Sequence, residues 1–580
     1  MTEVKQAKGI PYAIPSFESI RTENYAYVDK THFIEMLERE STKYQFLIRP
    51  RKFGKSLFLS TLKHYYDICS KDNFQTLFGD LYIGKNPTGK QNSMFVMKFQ
   101  FSGLNTRTVE KFEISFYEAI RSSIQTFLTE HQFIINEYKK KKDEAWGIKS
   151  VRGSIEYAFG IIREFGCKAY VIIDEYDHFA NDLIAQGTNL SLEQYKQLIW
   201  ANGVVRDFYE TLKDATQTVV DRIFITGVTP IMLDDVTSGF NISNNLSLDL
   251  RYHDILGFNE DEVEKLIDDC GIDRAKITID RQFLYNGYLF HKDAKNKLYN
   301  STMILYILNQ INITVGAVIQ LIDYNLKSDY TRIRMLMNKP ENTEKLETII
   351  EQGKIESNVI PRFSVEKIHE NKNFLSLLYY MGLVTIHKDE NNEKPWLKIP
   401  NYSIKTMYWE YMEEVILERN PKMSYDPTEI LSASGTMAFE EDYLPFFEIF
   451  HQKFVSRIST RDLRRFSEKN VKFLLLSVLF QTDYYLPISE PENTEGYIDI
   501  YLKRRNDIYK GIKTDWVWEI KYIKQSDAGK EALIAQKKSE ALEKLKRYKS
   551  STLFKDRTDV RYIAVVFTGK KEYLTEELVV

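Results

Sequence analysis

The segment IRPRKFGKSLFL, residues 48–59, joins a short apolar run to an amphipathic stretch and decides how the chain is interpreted. The run YQFLIR (44–49) has strand length, and SLFLSTLKHYYDIC (56–69) has helical spacing. Gly54-Lys55-Ser56 therefore falls at a strand-to-helix turn, where backbone N–H groups can face an anion, a lysine can reach phosphate oxygens and a hydroxyl can ligate magnesium. Arg49 stands where such a loop normally opens with glycine, so the segment alone is a weak signal for nucleotide binding.

Two later strand ends supply the remaining parts of a nucleotide site. KAYVIIDEYDHF (168–179) places Asp174 and Glu175 at the end of a buried apolar strand, where Asp174 can hold magnesium and Glu175 can polarise a water. RIFITGV (222–228) brings Thr226 to the end of another strand, where its hydroxyl can sense a γ-phosphate. The alternative interpretation is that DEYD begins a surface loop. Three strand-end signals in this chain order favour the nucleotide site.

Hydrolysis also needs a cation near the transferred phosphate, and the sequence does not assign one. Arg206, Arg222 and Arg251 are candidates for an arginine finger, with no basis for ranking them. The alternative for each is a solvated or ion-paired surface arginine.

The order of apolar runs predicts an α/β architecture with a doubly wound parallel sheet at the amino end. Strand-like runs, including MFVMKFQF (94–101), alternate with helical stretches up to about residue 258. Mostly helical pieces follow to about 415, and 371–401 is typical of a helix, a tight turn at Gly382 and a hairpin, which is winged-helix-like. Residues 420–435 contain enough Pro, Ser and Gly to predict a linker. The predicted domains are 12–270, 271–415 and 436–580.

Composition sets limits on the class of protein. The 580 residues are 43% apolar with a net charge of -3, which predicts packed domains without a global basic field for nucleic acid. The three cysteines lack C-x-x-C spacing, which argues against a disulfide framework or a cysteine zinc cluster. The chain shows neither an apolar signal core nor a membrane-length apolar run, so we expect a cytoplasmic protein.

A second set of charged residues lies near the carboxyl end, in GYIDIYL (496–502) and WVWEIKYI (516–523). Strand alternation puts Asp499 on one face with Tyr497 and Tyr501 and opposite Ile498, and it puts Glu519 and Lys521 on a shared face. If the two strands pair, two carboxylates and a lysine converge, which is the set that magnesium-dependent phosphodiester cleavage needs. An exposed cross-strand ion pair is the alternative, but the surrounding tryptophans and isoleucines predict a buried strand.

Neighbouring residues extend this second prediction. Glu468 precedes an apolar helix and can join the same metal site. Residues 501–550 carry 14 Lys and Arg against seven Asp and Glu, and KKSEALEKLKRYK (537–549) is a basic helix with a tyrosine. Such a helix suits a nucleic-acid backbone, although a solubilising helix face gives the same pattern.

Several of these motifs together resemble a known family. IPSFESIRTENYAYVDKT, RPRKFGKSL, VIIDEYD, FITGVTPI and FLSLLYYMGLVT resemble the AAA-ATPase-like family of bacterial proteins. ENTEGYIDIYL with WVWEIKYIK resembles the PD-(D/E)XK nuclease-like domain that is usually fused to it. The resemblance covers nearly the whole chain and implies a restriction-endonuclease-like α/β fold at the carboxyl end.

The strand-end patterns and the resemblance together give the expected site residues. The RPR-x-FGKS form is then the family's version of the P-loop, and the cofactor-binding residues are Arg51, Lys52, Phe53, Gly54, Lys55, Ser56, Leu57, Asp174 and Thr226. Glu175, Asp499, Glu519 and Lys521 are the implied catalytic residues. The implied metal ligands are Ser56 and Asp174 in one site and Glu468, Asp499 and Glu519 in the other. Gln536 is the nearest candidate for the glutamine that such nucleases often carry on the following helix.

We therefore expect a protein that binds and hydrolyses ATP with Mg²⁺ and whose nucleotide state controls cleavage of nucleic acid, in defence or control of mobile elements. DNA is favoured over RNA as the partner, no membrane is expected, and a homo-oligomer stays open. One alternative is a signalling or scaffold ATPase whose nuclease-like domain only binds nucleic acid or protein. Another is a nuclease whose P-loop domain binds nucleotide without hydrolysing it.

Overall fold

The computed structural model divides the chain into two compact units, Met1–Ile313 with Ile322–Tyr402, and Thr314–Leu321 with Ser403–Val580. It describes residues 6–178, 180, 192–199, 203–231, 242–313, 321–323, 340–364, 367, 370–389, 392–423, 425–458, 466–489, 492–493, 496–506, 508–569 and 572–578. Part of the predicted helical middle region, residues 324–339, lies outside these ranges. The three predicted domain boundaries stay a prediction.

Five strands form the central sheet of the first unit, and each neighbouring pair is parallel. They are β1 (Tyr44–Ile48), β2 (Met94–Gln100), β3 (Lys168–Asp174), β4 (Val220–Gly227) and β5 (Asn244–Asn245), in the spatial order β2-β3-β4-β1-β5. This confirms the predicted parallel sheet. Because parallel strands end at the same edge, the carboxyl ends of β3, β4 and β1 lie side by side.

The register sets the level at which the strand-end residues meet. Leu47 of β1 pairs with Thr226 of β4, and Ile173 of β3 pairs with Ile225 of β4. Asp174 and Thr226 therefore stand at the same height, directly below the loop that follows β1.

Two helices precede these strands and others connect them, and several begin at a side-chain cap. They are α1 (Phe17–Thr22), α2 (His32–Arg39), α3 (Lys55–Tyr66), α4 (Phe74–Phe78), α5 (Tyr82–Lys85), α6 (Val109–Glu130), α7 (Tyr138–Gly147), α8 (Val151–Glu164), α9 (Leu192–Ile199) and α10 (Val204–Ala215). Thr108 and Ser150 each accept a backbone N–H of the first turn of α6 and α8. These caps satisfy donors that a helix start leaves unpaired.

The rest of the first unit is mostly helical. It contains α11 (Glu260–Asp269), α12 (Arg281–Tyr285), β6 (Asn286–Tyr288), β7 (Leu298–Tyr299), α13 (Ser301–Ile313), α14 (Pro340–Gln352), β8 (Lys354–Glu356), α15 (Asn371–Tyr380), β9 (Thr385–Asp389) and β10 (Asn392–Lys398). β10 pairs antiparallel with both β8 and β9, and Gly382 turns the chain after α15 with φ of +79°. The helix, turn and hairpin predicted over 371–401 are confirmed.

The second unit is an α/β domain built on a mixed sheet. Its elements are α16 (Tyr402–Arg419), α17 (Pro427–Phe439), α18 (Leu444–Lys453), α19 (Glu468–Phe480), β11 (Tyr485–Ser489), β12 (Glu492–Asn493), β13 (Gly496–Tyr497), β14 (Ile500–Arg504), β15 (Asp515–Ile523), α20 (Glu531–Lys549), β16 (Val560–Thr568) and β17 (Glu572–Glu577). The main sheet has the order β11-β14-β15-β16-β17, with β15 and β16 parallel and the other pairs antiparallel.

The predicted linker at 420–435 is wrong from residue 427 onward, because α17 begins at Pro427. Asp426 caps the helix by accepting the Thr428 N–H, and proline fits the first turn, where its missing N–H costs nothing. Gly435 lies inside the helix near Tyr484, whose hydroxyl would be 3.4 Å from a Cβ there. The Pro and Gly that suggested a linker thus serve a helix start and a close side-chain contact.

Candidate functional sites

The loop after β1 turns sharply into α3 through two left-handed residues. Gly54, which precedes α3, has φ of +96°, and Lys52 has φ of +66°. Glycine adopts such angles without strain, and Ser301 Oγ lies 3.9 Å from where a Cβ at Gly54 would stand, an ordinary contact. The backbone angle therefore explains Gly54, and the amino end of the 12-residue α3 opens onto the loop.

Lys55 is the buried cation of this loop. Its Nζ donates to the carbonyl oxygens of Arg49 at 2.8 Å and Pro50 at 2.9 Å. Burial lowers the pKa of Lys55 to about 8, against the opposing effect of Asp174 and Asp177. A desolvated ammonium held by neutral carbonyls is well placed to attract a phosphate.

Asp174 joins three strand-end or helix-start groups. Its Oδ2 accepts from Ser56 Oγ at 3.2 Å, and its Oδ1 accepts from Thr226 Oγ1 at 3.0 Å. Lys98 Nζ, from β2, lies 3.5 Å from the same Oδ2. Ser56, Asp174 and Thr226, which the sequence placed at separate element ends, are thus brought together. Their hydroxyl and carboxylate oxygens fit the ligand preference of magnesium. The sequence did not indicate Lys98.

The acids after β3 take different positions. Glu175 has φ of +53°, unusual for a residue with a side chain, and its carboxylate is partly exposed beside His178, 3.5 Å away. Asp177 is buried and accepts the backbone N–H groups of Val228 and Thr229 and the Thr229 hydroxyl. Glu175 is therefore accessible to solvent, while Asp177, which the sequence did not single out, ties the end of β3 to the end of β4.

Arg49, which stands where such a loop normally opens with glycine, has a structural role. Its guanidinium is buried and donates to the carbonyl oxygens of Ile48 (2.9 Å), Ser247 (2.7 Å) and Tyr252 (2.8 Å). The same group lies over the Phe290 ring, 4.1 Å from its centroid, and burial lowers the pKa of Arg49 to about 10. Arg49 thus anchors the entrance of the loop to the residues after β5.

The other loop positions are held mainly through the backbone. The Arg51 carbonyl oxygen accepts from Asn300 Nδ2 at 3.2 Å. The Lys52 carbonyl oxygen accepts from the backbone N–H and the hydroxyl of Thr302, at 3.1 and 2.9 Å. The Phe53 carbonyl oxygen accepts from Ser301 Oγ at 3.2 Å and from the Gly257 N–H at 3.3 Å. The Phe53 side chain is buried against Tyr288 and Phe290, Leu57 is half-buried on α3, and Lys52 is exposed. That Arg51 and Lys52 contact phosphate stays a prediction.

The three candidate finger arginines have other partners. Arg222 lies near the amino end of β4, away from Thr226, and donates to the carbonyls of Leu37 and Glu38. The ion pairs of the other two are Arg251 with Glu40 and Asp249, and Arg206 with Glu210. The alternative of an ion-paired arginine therefore describes Arg206 and Arg251, and Arg222 is a structural donor.

In the second unit, three carboxylates converge on one ammonium. Lys521 Nζ lies 2.8 Å from Glu519 Oε1, 3.6 Å from Glu468 Oε1 and 3.9 Å from Asp499 Oδ2. Asp499 Oδ2 also accepts the Ile520 N–H at 2.9 Å, which fixes it beside β15. The structure thus brings together the acids and the lysine that the sequence singled out.

Glu519 is fully buried and surrounded by donors. Besides Lys521, its carboxylate accepts from Lys544 Nζ at 2.7 Å and lies 3.3 Å from the Tyr548 hydroxyl. Burial, with the nearby Asp499 carboxylate, raises the pKa of Glu519 despite the lysines. The pKa of Lys521 is raised as well, because the surrounding acids outweigh its burial.

The predicted alternation is wrong at Ile498. β13 ends at Tyr497 and β14 begins at Ile500, so the chain bends at Asp499. Ile498 and Tyr501 consequently belong to one buried cluster instead of opposite faces. The bend also allows the Asp499 carboxylate to receive the N–H of Ile520.

The first two turns of α19 contribute two groups to this site. Glu468, the first residue of the helix, accepts the Tyr522 N–H at 3.2 Å and keeps a partly exposed side chain. Lys472, one turn later and buried, lies 3.5 Å from Asp499 Oδ1. Glu468 is therefore near the site as predicted, and Lys472 is an addition.

Gln536 is exposed on α20 and donates to Glu540, so its position does not support the glutamine role. The groups of α20 that reach Glu519 are Lys544 and Tyr548. Both fall in the basic segment 537–549, and their i, i+4 spacing puts them on one helix face. This i, i+4 spacing is the sequence signal that could have identified Lys544 and Tyr548 as neighbours of the site.

A further polar cluster lies where α3 ends. Asp67 Oδ1 is 3.1 Å from the buried His131 Nε2, and His131 Nδ1 is 2.8 Å from the Phe127 carbonyl oxygen. The exposed Cys69 is close enough that the three side chains could share a metal ion. The pKa of His131 is raised to about 10, because its bonds to Asp67 and Cys69 outweigh its burial. The geometry is that of a buried ion pair.

Comparisons with known proteins agree with this division. Residues 11–237 match the family model described as predicted AAA-ATPase, and residues 466–577 match the PD-(D/E)XK nuclease superfamily. The chain thus carries an AAA-ATPase-like domain and a PD-(D/E)XK nuclease-like domain, which confirms the resemblance.

One curated relative and two solved structures are similar to parts of the chain. The "uncharacterized protein in vnfD 5'region" of Azotobacter chroococcum is 30% identical over 295 residues, which are 50% of each protein. The Walker-type ATPase PABY2304 of Pyrococcus abyssi aligns with 65% of this chain and 94% of its own, at 12% identity and a TM-score of 0.34. Cdc6p of Pyrobaculum aerophilum aligns with 69% and 98%, at 13% identity and a TM-score of 0.24.

Among the described residues, every helix is too short or too polar to cross a membrane.

Proposed function

We propose that this protein is an ATP-hydrolysing regulator of its own nuclease domain. The first unit binds ATP with Mg²⁺ at the loop after β1, and the second cleaves phosphodiester bonds of nucleic acid, DNA above all, with Mg²⁺. Nucleotide state in the first controls cleavage by the second. A role in defence or control of mobile elements fits such a pairing.

The observation that carries the nucleotide half is the hydrogen-bonded set of Ser56, Asp174 and Thr226 below the loop. Ser56 and Asp174 would hold the magnesium ion, which neutralises phosphate charge when bound. Lys55 and the amino end of α3 would bind the phosphates. Glu175, whose carboxylate is solvent-accessible, would orient and deprotonate the attacking water.

The nuclease half rests on the convergence of Glu468, Asp499 and Glu519 around Lys521. The acids would hold magnesium, whose chemistry is to activate water and stabilise charge on the scissile phosphate. Lys521 would then leave the acids and face the phosphate or the attacking water. The basic face of α20 would follow the nucleic-acid backbone.

Contacts inside the first unit support the proposed control. Pro50, in the loop, packs so closely on Gly382 that a Cβ there would stand 2.9 Å from the Pro50 Cβ. Arg49 lies over Phe290, whose ring is edge-on to Tyr379. A loop that changes shape with nucleotide would therefore push on the winged-helix-like region, which leads in sequence to the second unit.

The test uses the purified full chain with linear and supercoiled DNA and with RNA, each with and without Mg²⁺ and ATP. We expect Mg²⁺-dependent cleavage that changes with ATP and disappears in Glu519→Gln, while Glu543→Gln, which changes an exposed acid on α20, behaves as wild type. ATP turnover should disappear in Lys55→Ala and Glu175→Gln. Cleavage that survives in Glu519→Gln, or normal turnover in Glu175→Gln, would remove the corresponding assignment.

A second candidate function is an ATPase whose nuclease-like domain only binds nucleic acid or protein. The observation in its favour is that Lys521, Lys544 and Tyr548 surround the Glu519 carboxylate. Binding of DNA without cleavage on any substrate, together with ATP turnover that Lys55→Ala abolishes, would establish this alternative.

A further inference from the structure

We propose that Lys98 is the second cation of the nucleotide site, paired with Asp174 in the structure and transferred to the γ-phosphoryl oxygens when magnesium binds Asp174. Lys98 would then act within the same chain where an arginine finger acts in other ATPases. This inference rests on the proposed ATPase function.

The sheet places Lys98 beside the metal-binding carboxylate. β2 pairs with β3, and Gln100 stands opposite Asp174 in the register, two residues beyond Lys98. The Lys98 stem therefore runs toward the strand end, and its Nζ lies 3.5 Å from Asp174 Oδ2. Asp174 Oδ2 is also the oxygen that accepts from Ser56. The Lys98 ammonium therefore lies against an oxygen that is an expected ligand of magnesium.

Two cations cannot share that oxygen without strong repulsion, which grows in a buried site. The Asp174 carboxylate is 1% exposed, whereas the Lys98 side chain is 32% exposed. Asp174 is fixed by Ser56 and Thr226, and Lys98 has the freedom to move. Lys98 would therefore leave Asp174 when magnesium binds there.

The displaced ammonium has a polar space to enter. A cavity of about 370 Å³ lies between α3, the end of β2 and α6, and its lining includes Lys63, Lys98, Gln100, Ser102, Ser122 and Ser123. Lys98 lines this cavity, and its Nζ also lies 3.5 Å from the Asp174 oxygen that accepts from Ser56 at the start of α3. Lys63 of the same cavity is paired with Glu130, which makes it a matched control.

Phosphoryl transfer spreads negative charge over the γ-oxygens in its transition state, and a preorganised cation there lowers the barrier. Lys55 is held inside the loop, and the three finger candidates have other partners. Lys98 is the cation that the structure pairs with Asp174, so its release is tied to arrival of the metal.

The test compares Lys98→Met, Lys98→Arg and the control Lys63→Met in the full chain. We expect Lys98→Met to lower kcat about 10²-fold with little change in KM, and Lys98→Arg to recover part of the loss. The readout independent of turnover is fluorescent-ADP binding as a function of Mg²⁺. Lys98→Met should need less Mg²⁺ for half-maximal binding, because the competing ammonium is gone.

Three outcomes would overturn the inference. Lys98→Met could match Lys63→Met in both readouts, Lys98→Arg could be as inactive as Lys98→Met, or Lys98→Met could leave the Mg²⁺ requirement unchanged or raise it. A wild-type protein that binds no nucleotide would instead overturn the proposed function itself, and the inference with it. Thermal unfolding of each variant checks that the loss is not one of folding.

Discussion

The two candidate sites hold their cations in opposite ways. In the first unit, Arg49 and Lys55 donate to backbone carbonyl oxygens. In the second, Lys472, Lys521 and Lys544 lie against carboxylates. Carbonyls solvate a cation without cancelling its charge, whereas a carboxylate cancels it.

This difference indicates what each site is prepared to receive. The loop of the first unit retains positive charge that an anion can use, which suits a phosphate. The second site has three acids, Glu468, Asp499 and Glu519, with three lysines, so a divalent cation must replace an ammonium before it can bind. The phosphate-binding loop of the first site is therefore preorganised for its ligand, whereas metal binding depends on displacing an ammonium in the second site, as proposed for Lys98 at Asp174.

The largest expected effect comes from removing the carbonyl-bound guanidinium. Arg49→Ala leaves the carbonyls of Ser247 and Tyr252 without their donor and opens a cavity, so the free energy of unfolding should fall by about 3–5 kcal/mol. Denaturant unfolding measures it. Arg251→Ala, which removes an exposed arginine with two ion pairs, should cost at most about 1 kcal/mol. Equal losses would contradict the bracing role of Arg49.

The Asp67–His131 pair tests charge cancellation inside the first unit. The pKa of His131 is raised from its ordinary value to about 10, so the pair's stabilisation is fully present below about pH 6.5 and is lost as pH rises through about 10. The free energy of unfolding should fall by at most about 1.4 kcal/mol per pH unit across this range. His131→Gln should flatten that part of the curve, and an unchanged slope would refute the assignment.

Nucleotide affinity should depend on the charge of Lys55. Its pKa is lowered to about 8 in the ligand-free protein, and phosphate binding needs the ammonium. Above that pH, binding must take up a proton, so affinity for fluorescent ADP should fall up to about tenfold per pH unit. Affinity that stays constant from pH 7 to well above 8 would show that Lys55 is charged throughout or does not contact phosphate.

The smallest effect concerns the exchange in the second site. Lys544→Met removes one ammonium from Glu519, so magnesium should bind there a few-fold more tightly, a change of on the order of 1 kcal/mol. Calorimetric titration in an Asp174→Asn background isolates this site. Lys546→Met, which removes a lysine paired with the exposed Glu543, is the control. Weaker binding in Lys544→Met would mean that Lys544 supports the metal site instead of opposing it.

Local sequence pattern located most of the elements and several of the residues at their ends. Gly54, Lys55 and Ser56 were located because a strand run and a helix run flank them, and Asp174 and Thr226 because they end apolar strands. Parallel strands bring their carboxyl ends to one edge, so these positions meet for a reason that the order of elements already contains. The pattern failed at Pro427, where helix-start chemistry resembles linker composition.

The sequence by itself therefore determined which residues are available for chemistry: a glycine, a lysine and a serine at a strand-to-helix turn with polar strand ends, and a paired set of acids with a lysine. Only the tertiary structure decided how those groups are held. Arg49 meets carbonyls about 200 residues away, Lys98 reaches Asp174 from a neighbouring strand, and Lys544 reaches Glu519 from a helix. Such contacts depend on sheet order and side-chain direction, and the 2.0- and 3.6-residue periods of a sequence report only which face a residue occupies.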